Sequence, residues 1–176
     1  EDIRRVLAYM QSEKTYAHIF LGGHSRGGLV SLLHAARDPG ISVVLSIMPS
    51  SGRSMTEKVR EAWRTAGFSV SRRDVPGHPA EQRVFRVPYS HVEDRDRHNV
   101  RSVMAAITAP IILLAGGADE IVPPEDVREM FSLANQPKAF TVIPDIGHDY
   151  RHSEKEVNIV NAGVLNHLNA LEGAVS

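Results

Sequence analysis

Hydrophobic positions recur along the chain in two alternating rhythms. Ile3, Val6, Leu7 and Met10 stand at i, i+3, i+4 and i+7, which predicts a helix with one apolar face. Residues 17–22 form a compact apolar run, read as a short buried strand. Leu29, Leu32, Leu33 and Ala36 restart the helical period, and Asp38-Pro39-Gly40 ends it. Residues 41–48, rich in β-branched side chains and closed by Pro49, predict a second strand, and residues 110–115 a third. Val127, Met130, Phe131 and Ala134 mark a further helix, followed by a fourth strand over 138–143. In a last helix Ser153 and Glu156 stand at capping-box spacing, with Val157, Val160, Val164, Leu168 and Leu171 facing inward. Strands this apolar, separated by helices, need cover on both faces. They predict an α/β fold with a mostly parallel sheet, helices on both sides and right-handed crossovers.

Residues 50–108 break the rhythm. Met55, Val59, Ala62, Trp63 and Ala66 form one amphipathic stripe, with Trp63 read as packing. A polar stretch with Pro76, Pro79 and Pro88 follows, around a hairpin near Val84 to Val87. The expected organisation is therefore 1–49 as the first half of a core, 50–108 as an inserted cap, and 109–176 as the second half.

Composition narrows the chemistry. The chain has 176 residues, 42% hydrophobic and 23% charged, enough to bury a core without staples. No Cys is present, which excludes a thiol nucleophile, a thiolate metal site and a disulfide framework. This suits a reducing compartment, and a cytoplasmic location is the expectation. No apolar run reaches membrane-spanning length. The net charge of -1 provides no general field for nucleic acid, so none is expected as a partner. The charge is uneven, however. Residues 53–102 carry 11 Lys+Arg against 7 Asp+Glu, and the rest of the chain 9 against 14. A mixed-sign run such as Glu93-Asp94-Arg95-Asp96-Arg97 reads as a solvated, self-paired surface, and an anion-facing wall is the alternative.

The densest chemical signal is Gly23-His24-Ser25-Arg26-Gly27, between the first strand and the second helix. This G-x-S-x-G spacing places a serine on a strained strand-to-helix turn. Side chains at 23 and 27 are expected to collide with neighbouring backbone. The helix that follows directs its positive end at the serine, making the Arg26 amide an oxyanion donor. The rival reading is a glycine-rich turn that binds phosphate or merely connects.

A serine hydroxyl needs a base, and the base an orienting carboxylate. The third strand runs into Gly116-Gly117-Ala118-Asp119 and the fourth into Pro144-Asp145-Ile146-Gly147-His148. Ser25, Asp119 and His148 are thus expected at one carboxyl edge, in the chain order of this fold class. Asp145 and Glu120 are rivals to Asp119. His148 and His152 stand at a spacing that can bind metal, but no His-Glu-x-x-His pattern accompanies them; neither metal nor cofactor is expected. The seven other histidines, His24 included, are assigned structural roles.

At these residues the chain resembles the α/β-hydrolases, closely over 17–53 and 110–152 and more faintly through the insertion. Gly23-His24-Ser25-Arg26-Gly27-Gly28 is similar to the elbow of a small-cap branch akin to cinnamoyl and feruloyl esterases. Gly117-Ala118-Asp119-Glu120-Ile121-Val122-Pro123 resembles its acid loop, and Gly147-His148-Asp149-Tyr150 its histidine loop. Ser51-Gly52-Arg53 is similar to a further segment of that branch. The resemblance implies a serine hydrolase acting on a small-molecule carboxylic ester through an acyl-enzyme, with Ser25, Asp119 and His148 as triad. Peptidase, thioesterase or acyltransferase chemistry, or a ligand-binding module, are the alternatives. It also implies further strands before the elbow strand and a second oxyanion donor, so the expectation is the C-terminal part of a complete hydrolase. Loss of one such donor costs about 10²–10³ in rate.

Overall fold

The computed structural model of the chain describes residues 2–52, 55–75 and 78–175. Arg53 and Pro76, singled out above, lie outside the described residues. The fold divides into two compact units, Glu1–Ser51 with Val100–Ser176, and Gly52–Asn99.

The larger unit is built on four parallel strands, β1 (Phe20–His24), β2 (Val43–Ile47), β5 (Ile111–Gly116) and β6 (Lys138–Ile143), in the order β1-β2-β5-β6. Every residue of β5 is buried, so its two faces must be covered separately, and the period-two alternation shows how. Ile111, Leu113 and Ala115 enter one cluster with Leu29, Leu32 and Ala35 of α2 (Arg26–Ala35) and Val127 and Met130 of α5 (Pro124–Leu133). Ile112 and Leu114 enter the other with Val160 of α6 (Glu154–Val175), flanked by Val157, Val164, Leu168 and Leu171. The sheet is thus sandwiched as expected for an α/β protein. At the start of α6, Ser153 Oγ accepts the Glu156 amide at 3.3 Å, the capping contact read from their spacing.

Within this unit the first strand and the first helix differ from their sequence reading. The first strand begins at Phe20 rather than at residue 17 and continues through Gly22 and Gly23 to His24. The Ile19 amide is taken by the Ser42 hydroxyl, so the ladder starts one residue later. Its far end is set by pairing with β2, Gly23 opposite Ser46 and His24 opposite Ile47, which overrides the low strand propensity of glycine. The first helix, α1 (Asp2–Glu13), forms where predicted, but its apolar face is not fully covered. Val6 is 57% and Met10 40% exposed, and of its apolar stripe Leu7 packs against the core.

The smaller unit contains α3 (Glu57–Ala66), a hairpin of β3 (Phe68–Val75) and β4 (His78–Pro88), and α4 (Ser90–Asp96). The hairpin is much longer than the short one expected near Val84 to Val87. Phe68 pairs with Pro88 and Val70 with Arg86, so residues read as a polar stretch are strand. A two-stranded ribbon has two outer edges, and Pro88 is tolerated on one of them. The apolar stripe of α3 is likewise less buried than its pattern suggests, with Val59 51% exposed. Trp63 packs as expected, its indole N–H donating to the Val87 carbonyl at 3.0 Å. Charges of this unit pair internally, Arg60 and Arg95 with Asp96, and Arg64 with Glu61.

Candidate active site

Parallel strands end at one edge, and the loops after β1, β2, β5 and β6 all lie there. They are laced together by backbone hydrogen bonds. Ser25 N–H donates to the Ile47 carbonyl at 2.9 Å, Ser50 N–H to the Ser25 carbonyl at 2.9 Å, and Ala118 N–H to the Ile146 carbonyl at 3.0 Å. Ser25, Met48 and Asp145 each have positive φ, at 55°, 45° and 59°. Such backbone costs about 1–3 kcal/mol per residue and persists where surrounding structure over-determines it. Here all three strained residues fall within this one set of loops.

The elbow explains its own sequence at Gly23. A Cβ there would stand 2.4 Å from the Gly27 carbonyl carbon, so the turn closes only on glycine. Gly27 does not share that constraint, contrary to expectation, since a Cβ added there meets nothing within 4 Å. The tight neighbour is Gly28, whose Cβ would lie 3.0 Å from the Gly23 carbonyl oxygen and 3.1 Å from Pro49. The crowding is between the first and last turns of the elbow, where strand and helix cross.

The geometry brings together three side chains from separate loops. Ser25 Oγ lies 2.8 Å from His148 Nε2, and His148 Nδ1 lies 2.7 Å from Asp119 Oδ2. The hydrogen-bond network assigns the tautomer: Nδ1–H donates to the carboxylate and Nε2 accepts from the serine hydroxyl. The side chain of Asp119 is fully buried. Its other oxygen accepts the amides of Ile121 and Val122 at 2.9 and 2.8 Å. Three donors therefore compensate a charge that would otherwise be costly to bury. The rival carboxylates Asp145 and Glu120 are exposed, as is His152 in the short turn before α6.

Arg26 is the first residue of α2, and its side chain is exposed. An amide at that position has no acceptor within the helix and sits at the positive end of its dipole. Among the described residues, no group of three or more His, Asp or Glu side chains is arranged to hold a metal ion. No helix among them is long and apolar enough to cross a membrane.

His24, assigned a structural role from the sequence, lies directly against the site. Its ring lies 4.8 Å from that of His148, and burial is the first cause that lowers its pKa from 6.5 to about 4. The only sequence signal is adjacency to Ser25. Tyr150, buried two residues after His148, meets His24 edge-on.

No family model matches the chain. An uncharacterized protein of Mycobacterium tuberculosis, Rv2307c, is 37% identical over 46 residues, 26% of this chain and 16% of that protein. YfhR of Salmonella typhi, also uncharacterized, is 29% identical over 72 residues, 40% of this chain and 25% of its own. Among solved structures, the esterase domain of a Rhodothermus marinus protein superposes with a TM-score of 0.58 at 22% identity, over 84% of this chain. This chain spans 59% of the length of that domain. Est1E of Butyrivibrio proteoclasticus, solved with ferulic acid bound, gives a TM-score of 0.70 at 22% identity, over 99% of this chain and 67% of its own. The α/β hydrolase GrgF of Penicillium sp. sh18 gives 0.71 at 18% identity, over 93% of this chain and 68% of its own. The four-stranded parallel sheet, its helices on both faces and these superpositions together establish that the chain has the α/β-hydrolase fold.

Proposed function

We propose that this chain carries the catalytic core of a serine hydrolase that cleaves carboxylic esters through an acyl-enzyme. The observation that carries the reading is the unbroken hydrogen-bond chain from Ser25 through His148 to Asp119. Ser25 Oγ attacks the ester carbonyl carbon while its proton passes to His148 Nε2. The carbonyl π electrons move to oxygen, and the Arg26 amide stabilises that oxyanion at the helix terminus. Collapse of the tetrahedral intermediate breaks the carbon–oxygen bond to the alcohol, which leaves with the proton from His148. Water, deprotonated by the same imidazole, then releases the acid and restores Ser25. Asp119 keeps the proton of the resting imidazole on Nδ1 and stabilises the imidazolium.

Support for ester substrates comes from the esterases among the superposed structures. The test is covalent labelling by a fluorophosphonate probe. The protein is expected to be labelled at Ser25, with labelling abolished in Ser25→Ala. Equal labelling of both proteins would overturn the reading. A panel of p-nitrophenyl esters, thioesters and aminoacyl amides separates esterase from thioesterase and peptidase activity.

A further inference from the structure

The imidazole of His24 is tilted 44° against that of His148 at a centroid distance of 4.8 Å, and it meets the Tyr150 ring edge-on at 5.2 Å. His24 ends β1, where pairing with Ile47 of β2 fixes its backbone. His148 and Tyr150 belong to the loop and short turn after β6. The elbow strand thus reaches across to grip the histidine loop through aromatic contact.

We propose that His24 is a positioning residue for His148: its ring, packed on His148 and Tyr150, keeps the imidazole in the orientation that reaches Ser25 through Nε2 and Asp119 through Nδ1. The proposal rests on the triad reading above. Two hydrogen bonds at opposite ends of a ring fix its axis but leave it able to swing sideways. Catalytic groups need support to within about 0.5 Å from packed neighbours. His24 supplies that lateral contact without a competing charge.

A cationic neighbour would oppose the imidazolium that forms on His148 during attack. His24 avoids this because burial, followed by the charges of His148 and Arg151, depresses its pKa to about 4. A backbone hydrogen bond to His148 and the Asp149 carboxylate act in the other direction and do not prevail. Tyr150 is itself held neutral, burial raising its pKa above 10.0. The buried Nε2 of His24 has no hydrogen-bond partner among the described residues. An orphaned nitrogen costs stability, yet the ring is held in place by its packing on His148 and Tyr150 and by its hydrogen bond to the His148 backbone.

The test compares His24→Ala and His24→Phe by steady-state hydrolysis of p-nitrophenyl acetate and by the far-downfield proton resonance of His148 Nδ1–H. His24→Ala is expected to lower kcat by roughly tenfold to a hundredfold, since small misplacements carry that cost, while KM stays within about twofold. Its downfield resonance should broaden or shift. His24→Phe keeps the ring packing but discards both the orphan nitrogen and the hydrogen bond to the His148 backbone, so if packing does the positioning it should retain kcat within about threefold and preserve the resonance. Unchanged kcat and resonance in His24→Ala, or a His24→Phe protein as impaired as His24→Ala, overturns the proposal. Failure of the triad reading is separately visible as ester turnover unaffected by Ser25→Ala. In that event the resonance alone still decides whether His24 positions His148.

Discussion

Asp119 holds His148 with one carboxylate oxygen, 2.7 Å from Nδ1, while its other oxygen is tied to the amides of Ile121 and Val122. The two oxygens thus do different work. One is anchored to the loop after β5, which prevents the carboxylate from turning, and the other presents a fixed acceptor to the imidazole.

Replacing Asp119 with Asn retains an oxygen for the two amides but turns an NH₂ toward Nδ1. The ring must then accept there and carry its proton on Nε2, facing Ser25, where it cannot act as a base. The expected outcome is a kcat lowered by about 10⁴, as when a triad aspartate is replaced in serine proteases. Steady-state kinetics on a p-nitrophenyl ester checks it. A loss smaller than about tenfold would assign the role to another carboxylate.

Gly23 and Gly27 should respond oppositely to alanine. Gly23→Ala drives a methyl group into the Gly27 backbone at 2.4 Å and is expected to prevent the elbow from closing, with loss of probe labelling and of stability. Gly27→Ala enters open space on a helix and should raise stability by about 0.5–1 kcal/mol through helix propensity. Urea denaturation of the two proteins makes the comparison. A destabilised Gly27→Ala chain would contradict it.

Stability should fall with acid because of His24. In the unfolded chain the imidazole titrates near its ordinary 6.5, and in the fold near 4. Between these values the unfolded state binds more protons, so stability rises with pH through this window and is fully present above 6.5. Discounted for the partial exposure of the ring, the effect is about 1–2 kcal/mol. Melting temperatures across the window should decline on acidification, and His24→Phe should flatten that part of the profile. An identical slope in both proteins would assign the acid sensitivity elsewhere.

The core makes its own prediction at Leu113, fully buried at the centre of the sheet. Leu113→Ala removes contacts with the α2 and α5 cluster and leaves a cavity, at a cost of about 2–5 kcal/mol. The hydrogen bonds that join Ser25, His148 and Asp119 should survive. Chemical denaturation and probe labelling together test this: a loss below about 1 kcal/mol would mean that the site repacks.

Much of the molecule was legible without coordinates, because the informative patterns are local. A period of 3.6 or 2 is set by neighbouring residues, as at Leu29-Leu32-Leu33 and along 111–115, and the elbow is written in consecutive positions. The ends of elements were less legible. The first strand extends to His24 because β2 pairs with it, and strand pairing is a property of two segments. The length of the Phe68–Pro88 hairpin is illegible in the sequence for the same reason, its alternation being hidden among arginines.

What the chain determined by itself is the order of its strands and helices and the kinds of group that terminate them: a framed serine, a histidine loop and several carboxylates. Tertiary structure decided which groups meet. Ser25 and His148 are separated by 123 positions, and only the register of four parallel strands brings them within a hydrogen bond. The same packing seats Asp119 rather than Asp145 or Glu120 against the imidazole, transfers the steric demand from Gly27 to Gly28, and draws His24 onto His148. Those outcomes depend on distances between segments remote in sequence, which a one-dimensional pattern does not encode.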